Sequence, residues 1–582
     1  MTTPTSSIES RVDALLTRMT LEEKCGLMFH GMMPVGQDGN IVEGMTPRGP
    51  FSTRALVHGK HLNHFNIGDV AEPRTLATWH NHLQELALGT RLGIPITISS
   101  DPRHASSHNI ATNIAAGAFS MWPEPPGLAA MGDEAAVREF GDIARQEYLA
   151  VGIRVALHPM ADLATEPRWG RINGTFGEDA HTSAKLTAAY IRGFQGDHLG
   201  PSSVACMTKH FPGGGPHKDG EDSHFARGRA MVYPGNNFEH HLIPFEAAFA
   251  AGTSQIMPYY GMPVGTELEE VGAGFNKQII TGLLRGKYKF DGIVCADWLL
   301  LNPVMAGDRE LISAKCWGVE HLTVPQRALK VIDAGVDQFG GEVCPEVIVE
   351  LVRSGQVTEQ RIDVSARRLL REKFRLGLFD HPMLDVAAAS SIVGKPEFLA
   401  AGQRAQRRSI VLLKNGTKEP VLPLKPGQKL YVENLSPGLA AKFAQIVARP
   451  EDADVAVLRI RAPFEPREGL LESFFHQGQL DFTAEALAPI LKLLARVPTI
   501  VDIYLERPAV IPEISAQCAA LLGSFGSDDA ALLDVIFGVV HPTAGLPFEL
   551  PSSMDAVRGQ KSDVPFDSAR PLYPYGHGLR YA

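Results

Sequence analysis

Residues 207–225 read MTKHFPGGGPHKDGEDSHF, and residues 292–301 read GIVCADWLLL. Each begins as a short apolar run of strand character and then breaks. The first turns Gly-rich and polar after Lys209 and His210; the second stops at Asp297, followed by Trp298. A chemically capable residue at the C-terminal end of an apolar strand is what parallel barrels use at their working face. Outward from these two stretches the pattern recurs. GIPITISSD (93–101) ends on Asp101, IRVALHPMAD (153–162) on Asp162, SQIMPYY (254–260) reaches Tyr259, and AGVDQFGG (334–341) contains Asp337. One such residue is ordinarily a helix cap, but six in succession predict strand ends gathered at one pocket, with Asp162 and Asp337 equally readable as structural. Between the runs lie amphipathic stretches such as 133–152 and 237–252, with apolar residues at three-to-four spacing. Alternating strand and helix patterns of this kind predict an α/β fold with a parallel sheet, here a (β/α)8-like TIM barrel.

The 582 residues exceed what one core usually fills, so two domains are expected. The helical stretch 357–380 closes the first region and Pro382 follows it, which places a barrel at 1–385 and a helical connector at 386–408. The pattern then restarts over 409–582 with the runs SIVLLKN, KLYVENL, DVAVLRIR, PTIVDIYL and CAALLGSFG, alternating with helical stretches. This predicts a second domain, an α/β sandwich. The last forty residues, rich in Pro, Gly and Tyr, read as an ordered wrapping tail.

Composition narrows the chemistry. A 44% hydrophobic, 21% charged chain of formal net charge −10 has material for large cores, and its sign argues against nucleic acid or an anionic membrane surface as partner. No run approaches the length of a membrane span. The opening MTTPTSSIESRVDALL lacks a basic segment followed by an apolar one, so cytoplasmic residence is expected. Six cysteines are scattered without CxxC spacing, so neither a disulfide framework nor a metal site is expected. The GGG after KHFP is not followed by the Lys-Ser/Thr of a phosphate-binding loop, so no nucleotide or other cofactor is called for. A neutral, polyhydroxylated small molecule fits best; a monomer and a homodimer are both open.

Several motifs together resemble glycoside hydrolase family 3, the family of β-glucosidases and related exo-acting enzymes, over nearly the whole chain. ADLATEPRWGRINGTFGEDA (161–180) resembles the segment built around PRWGR and FGED, KHFPG the Lys-His loop, ADW the nucleophile motif, SSDPRH (99–104) the stretch whose Asp holds the sugar, and GLPFELP with YPYGHGL the second-domain ending. The resemblance implies hydrolysis of terminal non-reducing β-D-glycosyl residues, most naturally β-D-glucosyl, by a retaining double displacement. It implies Asp297 as nucleophile and Asp101, Arg171, Lys209, His210 and Tyr259 as the sugar-binding set. Chemistry supports these types: an aspartate at a buried strand end can attack the anomeric carbon, Asp101 can accept from vicinal hydroxyls, and Arg171 and Lys209 supply charged donors. Arg168 is an alternative donor. The chain departs from many relatives at Gly174, where an acidic residue often stands.

The acid/base in this family commonly comes from a second-domain loop. Here that loop is 459–482, and Glu465 in APFE is the first candidate, with Glu472 and Glu468 open. Phe464, Phe474, Phe475 and Trp298 offer aromatic faces for an aglycone. A competing reading rests on Asp222-Ser223-His224, which resembles the loop of the family's β-N-acetylglucosaminidases, where an Asp-paired His is the acid/base. Against it, the GHGDT lead-in is missing; His224 is otherwise a substrate-subsite or loop-ordering residue. A β-xylosidase or transglycosylase on the same scaffold, and a non-catalytic carbohydrate-binding protein, complete the alternatives.

Overall fold

The computed structural model describes residues 7–44 and 51–581; residues 1–6 and 45–50 of the expected barrel region and Ala582 of the second lie outside the described residues. Eight parallel strands close into a barrel in chain order: Phe29–Met32, His64–Ile67, Thr97–Ser100, Ile153–Ala156, Ala205–Phe211, Gln255–Pro258, Ile293–Ala296 and Gln338–Gly340, the last pairing with the first. The last six coincide with runs read in the sequence. The first two, FHGM and HFNI, lie outside the runs read in the sequence, because they carry polar side chains where a buried strand normally reads apolar. Two of those polar groups are joined through a third strand, His30 Nε2 lying 2.8 Å from Ser99 Oγ, which also donates to Asn66 Oδ1 at 3.1 Å, while His64 packs its ring against His30 with no hydrogen bond at either nitrogen.

Helices pack around the strands, and their starts follow from the sequence. Asp133 caps Glu134–Ala150 by accepting from the amides of Ala135 and Ala136, and Asp179 caps Ala180–Gln195 through Thr182. These two helices touch at Gly141 and Gly193, where a Cβ on Gly141 would stand 2.9 Å from the Gly193 Cα. Only glycine permits that approach.

Helices Val386–Ile392 and Pro396–Ser409 lead into a six-stranded sheet ordered Val411–Asn415, Ala520–Ser524, Thr499–Tyr504, Val455–Arg461, Lys429–Glu433, Gln445–Ile446. All neighbours run parallel except Val411–Asn415, which is antiparallel to Ala520–Ser524. Strands covered on both faces read as continuous apolar runs, which is why VAVL and ALLGS were legible. The two-residue Gln445–Ile446 has no such run and was not anticipated.

The C-terminal tail binds both domains. Glu178 of the FGED motif is buried and accepts from the amides of Glu549 and Phe566, and Asp563 accepts from the amides of Gly235 and Asn237. Leu579 returns to the sheet by donating its amide to Leu412.

Candidate active site

The ends of the barrel strands converge on a cavity of about 140 Å3 lined by Asp101, Arg171, Lys209, His210, His224, Asp297 and Trp298, seven of the residues singled out in the sequence. Asp297 is the first residue past Ile293–Ala296 and only 7% exposed. Its Oδ1 accepts from the Trp298 amide at 2.7 Å, while Oδ2 has no hydrogen-bond donor. A buried carboxylate oxygen left open toward a cavity is a chemically available group.

Its neighbours are held rigidly. His210 Nδ1 lies 2.8 Å from Asp162 Oδ2, and Asp162 also accepts from the amides of His210 and Gly214. Asp162 is therefore the support of the Lys-His loop and not a cavity residue. Burial, reinforced by Arg171, pushes the His210 imidazole well below its ordinary range, so the ring is neutral. With Nδ1–H donated to Asp162, Nε2 carries the lone pair that accepts from Arg171 Nη1 at 3.2 Å. Burial alone would depress the Arg171 guanidinium, but Tyr259, Asp222, Asp297 and Asp162 around it outweigh that and raise it. Lys209 Nζ donates to Asp101 Oδ1 at 3.1 Å, and Asn66 Nδ2 donates to Asp101 Oδ2 at 3.1 Å.

Gly174 leaves the space that a side chain would fill to Met160, whose sulfur contacts Arg171 Nη2 at 3.6 Å. The acidic partner often found there is thus replaced by a polarizable thioether. Arg168 is turned away and doubly bonded to Glu166. Asp337 belongs to a structural cluster with Arg285, Arg368 and Ser365.

Tyr259 does not reach the cavity. It is buried, with its hydroxyl 3.0 Å from His217 Nε2 and donating to Asp222 Oδ2 at 3.3 Å, and its ring packs on His210. The neighbouring Tyr260 lines the cavity instead and donates its hydroxyl to the Trp298 carbonyl at 2.8 Å. Successive side chains at a strand end face opposite sides, so a one-residue shift exchanges wall for support.

The acid/base candidates divide. His224 lines the cavity, and its Nδ1 lies 2.6 Å from Asp222 Oδ1. Asp222 is fully enclosed and also accepts from Trp169 Nε1 at 2.7 Å. Burial would raise the Asp222 carboxyl, yet His224, His217 and Arg171 outweigh it and hold it well below the usual carboxylate range. Glu465, Glu468 and Glu472 are absent from the cavity lining. Glu465 is paired with Arg467 at 2.7 Å, and Arg467 bridges to Glu221 at 2.9 Å. Glu472 is paired with Arg227, which also holds Glu221, and Glu468 is exposed. This ionic chain fastens the second-domain loop to the barrel loop, and Leu471 is the residue of that loop that reaches the cavity. Phe464 stacks on His476, Phe475 packs on His224, and Phe474 lies outside the cavity, so of the four aromatic candidates only Trp298 faces it.

Asn66, Tyr260, Lys315 and Leu471 are cavity residues the sequence reading missed. Lys315 is 3% exposed, donates from Nζ to the Ser313 carbonyl, and stands close enough to feel Asp297; burial first, against that attraction, brings its ammonium down to about 8. It follows the hairpin Val304–Ala306 and Arg309–Ile312, an insertion with no apolar pattern. Among the described residues no group of three or more His, Cys, Asp or Glu is arranged to hold a metal ion.

The glycosyl hydrolase family 3 N-terminal domain matches residues 52–372, and the C-terminal domain of the same family matches residues 432–581. The chain is 52% identical to β-glucosidase C of Emericella nidulans over 99% of this chain and 92% of that protein. It is 41% identical to a periplasmic β-glucosidase/β-xylosidase of Dickeya chrysanthemi over 98% of this chain and 89% of that protein. Among solved structures, a β-glucosidase from Erythrobacter marinus superposes with a TM-score of 0.80 at 22% identity, covering 99% of this chain and 83% of that one. The β-glucosidase from Listeria innocua in complex with isofagomine superposes with a TM-score of 0.76 at 21% identity, over 98% and 83%.

Proposed function

The chain belongs to glycosyl hydrolase family 3, and on that footing we propose that it hydrolyses terminal β-D-glucosyl residues by a retaining double displacement with Asp297 as nucleophile. The observation that carries the mechanism is the open Oδ2 of Asp297 inside a small cavity ringed by Asp101, Arg171 and Lys209. The substrate class rests on the relatives at 52% and 41% identity, the first named a β-glucosidase and the second a β-glucosidase/β-xylosidase.

Attack of Oδ2 on the anomeric carbon forms a glycosyl ester with Asp297 as the aglycone leaves. Asp101 accepts from sugar hydroxyls, and Lys209 and Arg171 donate to them. Trp298 supplies the apolar face. The aglycone oxygen needs a proton as it departs, and the same group then deprotonates the water that hydrolyses the ester. His224 is our choice for that group, because it lines the cavity and an ionised Asp222 behind it stabilises the imidazolium. Glu465 is the second reading, favoured by the entry of Leu471 from its own loop into the cavity.

Incubation with a 2-deoxy-2-fluoro-β-glucoside tests the nucleophile. A glucosyl adduct on the peptide containing Asp297 is expected, together with β-glucose as the first-formed anomer from an ordinary glucoside. An adduct elsewhere, or α-glucose formed first, rejects the proposal. Turnover of p-nitrophenyl β-glucoside is expected to exceed that of the β-xyloside and the β-N-acetylglucosaminide.

A further inference from the structure

The catalytic cavity is divided by chemistry into a floor and a mouth. Asp101, Lys209, His210 and Asp297 stand at the ends of barrel strands or one residue past them. Five aliphatic residues reach the same cavity from segments beyond those ends: Ile110 and Ala111 of the loop after Thr97–Ser100, Leu299, Ile312 of the hairpin, and Leu471 of the second domain. All five are partly or largely open to solvent, Ile110 at 46%, whereas Lys209, His210 and Asp297 are buried. The aliphatic group is therefore the mouth. Aliphatic side chains from separate segments that meet at one entrance form a patch, unlike apolar residues scattered singly over a surface.

Leu299 shows that this wall is held in place against a backbone preference. Its φ is +65°, in the left-handed region that residues with a Cβ rarely occupy. Two backbone bonds keep it there: its amide donates to the Gly340 carbonyl at 3.0 Å, and its carbonyl accepts from the Lys315 amide at 2.7 Å. Glycine would adopt this conformation freely, yet the position carries a leucine whose side chain lines the cavity. Strain retained at a ligand site points to a use for the side chain.

The polar and aromatic groups of the same segments are engaged within the protein. Asn109 donates to the Phe474 carbonyl at 2.8 Å and accepts from the Ala111 amide at 3.0 Å, and Asn113 donates to the Ser107 carbonyl at 2.7 Å. Glu465 is paired with Arg467. Lys315, the charged residue that arrives with the hairpin, is buried beside Asp297. Phe464 stacks on His476 and Phe475 on His224, which leaves Trp298 as the one ring of the four candidates at the cavity. A second sugar needs partners for its hydroxyls and flat faces for its rings. A branched aliphatic wall matches a flexible hydrocarbon instead.

We propose that the mouth selects glycosides whose aglycone is an aliphatic alcohol, with Leu299, Ile312 and Leu471 as the specificity-determining contacts; the inference rests on the β-glucosidase reading of the same cavity.

The test compares methyl, butyl and hexyl β-D-glucosides, whose leaving alcohols are nearly equal in acidity, with cellobiose, using the full chain. A rise in kcat/KM of about tenfold or more from methyl to hexyl is expected, with cellobiose below hexyl β-glucoside. Leu299→Gly and Ile312→Ser should each reduce the hexyl-to-methyl ratio about three- to tenfold. Leu299→Gly also suits the positive φ, so its melting temperature should not fall, and a lost ratio there is not a loss of fold. Calorimetric titration of Asp297→Ala with the same glucosides reads the preference without turnover, and hexyl should bind about tenfold tighter than methyl. Failure to turn over any β-glucoside, with that order of binding kept, would reject the proposed activity and uphold the aliphatic mouth. A series flat in both kcat/KM and binding, cellobiose preferred to hexyl β-glucoside, or a hexyl-to-methyl ratio indifferent to both substitutions would each overturn the proposal.

Discussion

His210 Nε2 stands 3.9 Å from Asp297 Oδ2 without bonding it. The imidazole is neutral by burial, its Nδ1–H is donated to Asp162, and its Nε2 accepts from Arg171, so it has no proton to offer the carboxylate. The oxygen assigned to attack is thereby left open in a wall of fixed groups. Asp297→Ala is expected to lower kcat about a thousandfold or more while glucose still binds, since it deletes the group that forms the covalent intermediate. Steady-state kinetics with ligand titration decide this; retention of full turnover would remove Asp297 from the mechanism.

Asp162 acts through His210. Asp162→Asn replaces an acceptor by a group that can also donate, and the tautomer is no longer fixed. A fall in kcat of about 10²-fold with KM little changed is expected, by analogy with orienting carboxylates elsewhere. A proportional loss of stability with kcat intact would mark Asp162 as merely structural.

The two proton-donor readings separate by leaving group. His224→Ala should depress turnover of alkyl glucosides about 10²–10⁴-fold, with much less effect on dinitrophenyl glucosides, whose leaving group needs no proton. Glu465→Ala should change both less than about fivefold, as befits a partly exposed ion pair with Arg467. The reverse pattern assigns the role to Glu465 and implies that the pair with Arg467 opens during catalysis.

Lys315 predicts a pH effect in each of two observables. An unfolded lysine keeps its proton to about pH 10.4, whereas burial brings Lys315 to about 8. Between those values the unfolded chain binds the extra proton, so the Lys315 contribution makes stability rise with pH across that window. The ammonium facing Asp297 is lost over the same range, so kcat/KM should decline above about pH 8. Lys315→Met should remove that alkaline limb and, by deleting a buried cation, raise the melting temperature at pH 7. An unchanged pH profile in Lys315→Met would rule out a part for the ammonium.

Glu178 joins barrel to tail. Glu178→Ala removes the acceptor of the part-buried Glu549 and Phe566 amides, at about 1 kcal/mol each. A lower melting temperature is expected, partly restored by Glu178→Gln, which keeps one acceptor oxygen. An unaltered melting temperature would show that water replaces the carboxylate.

Periodicity made six barrel strands and five strands of the second sheet legible, because strands buried on both faces must be apolar along their length. It failed where the barrel lining is polar: His30 and Asn66 are inward residues that share a partner, Ser99, on another strand, and His64 packs its ring on His30. The site shows the same division. Asp101, Arg171, Lys209, His210, His224, Asp297 and Trp298 stand at strand ends or motif positions and were named from the chain alone. Lys315 enters from a hairpin insertion, and Leu471 from the second domain; neither position carries a local signal.

Sequence by itself therefore determined the family, the barrel with its second sheet, and seven residues of the cavity wall, since strand period, Gly-rich breaks and motif spacing are local properties of the chain. Only the tertiary structure decided which of Tyr259 and Tyr260 faces the cavity, and that Glu465 is tied to Arg467 while His224 lines the cavity. Those outcomes depend on which way a side chain turns and on which partner reaches it, and that is set by packing between segments, as where Arg467 of the second-domain loop bridges Glu465 to Glu221 of the barrel loop.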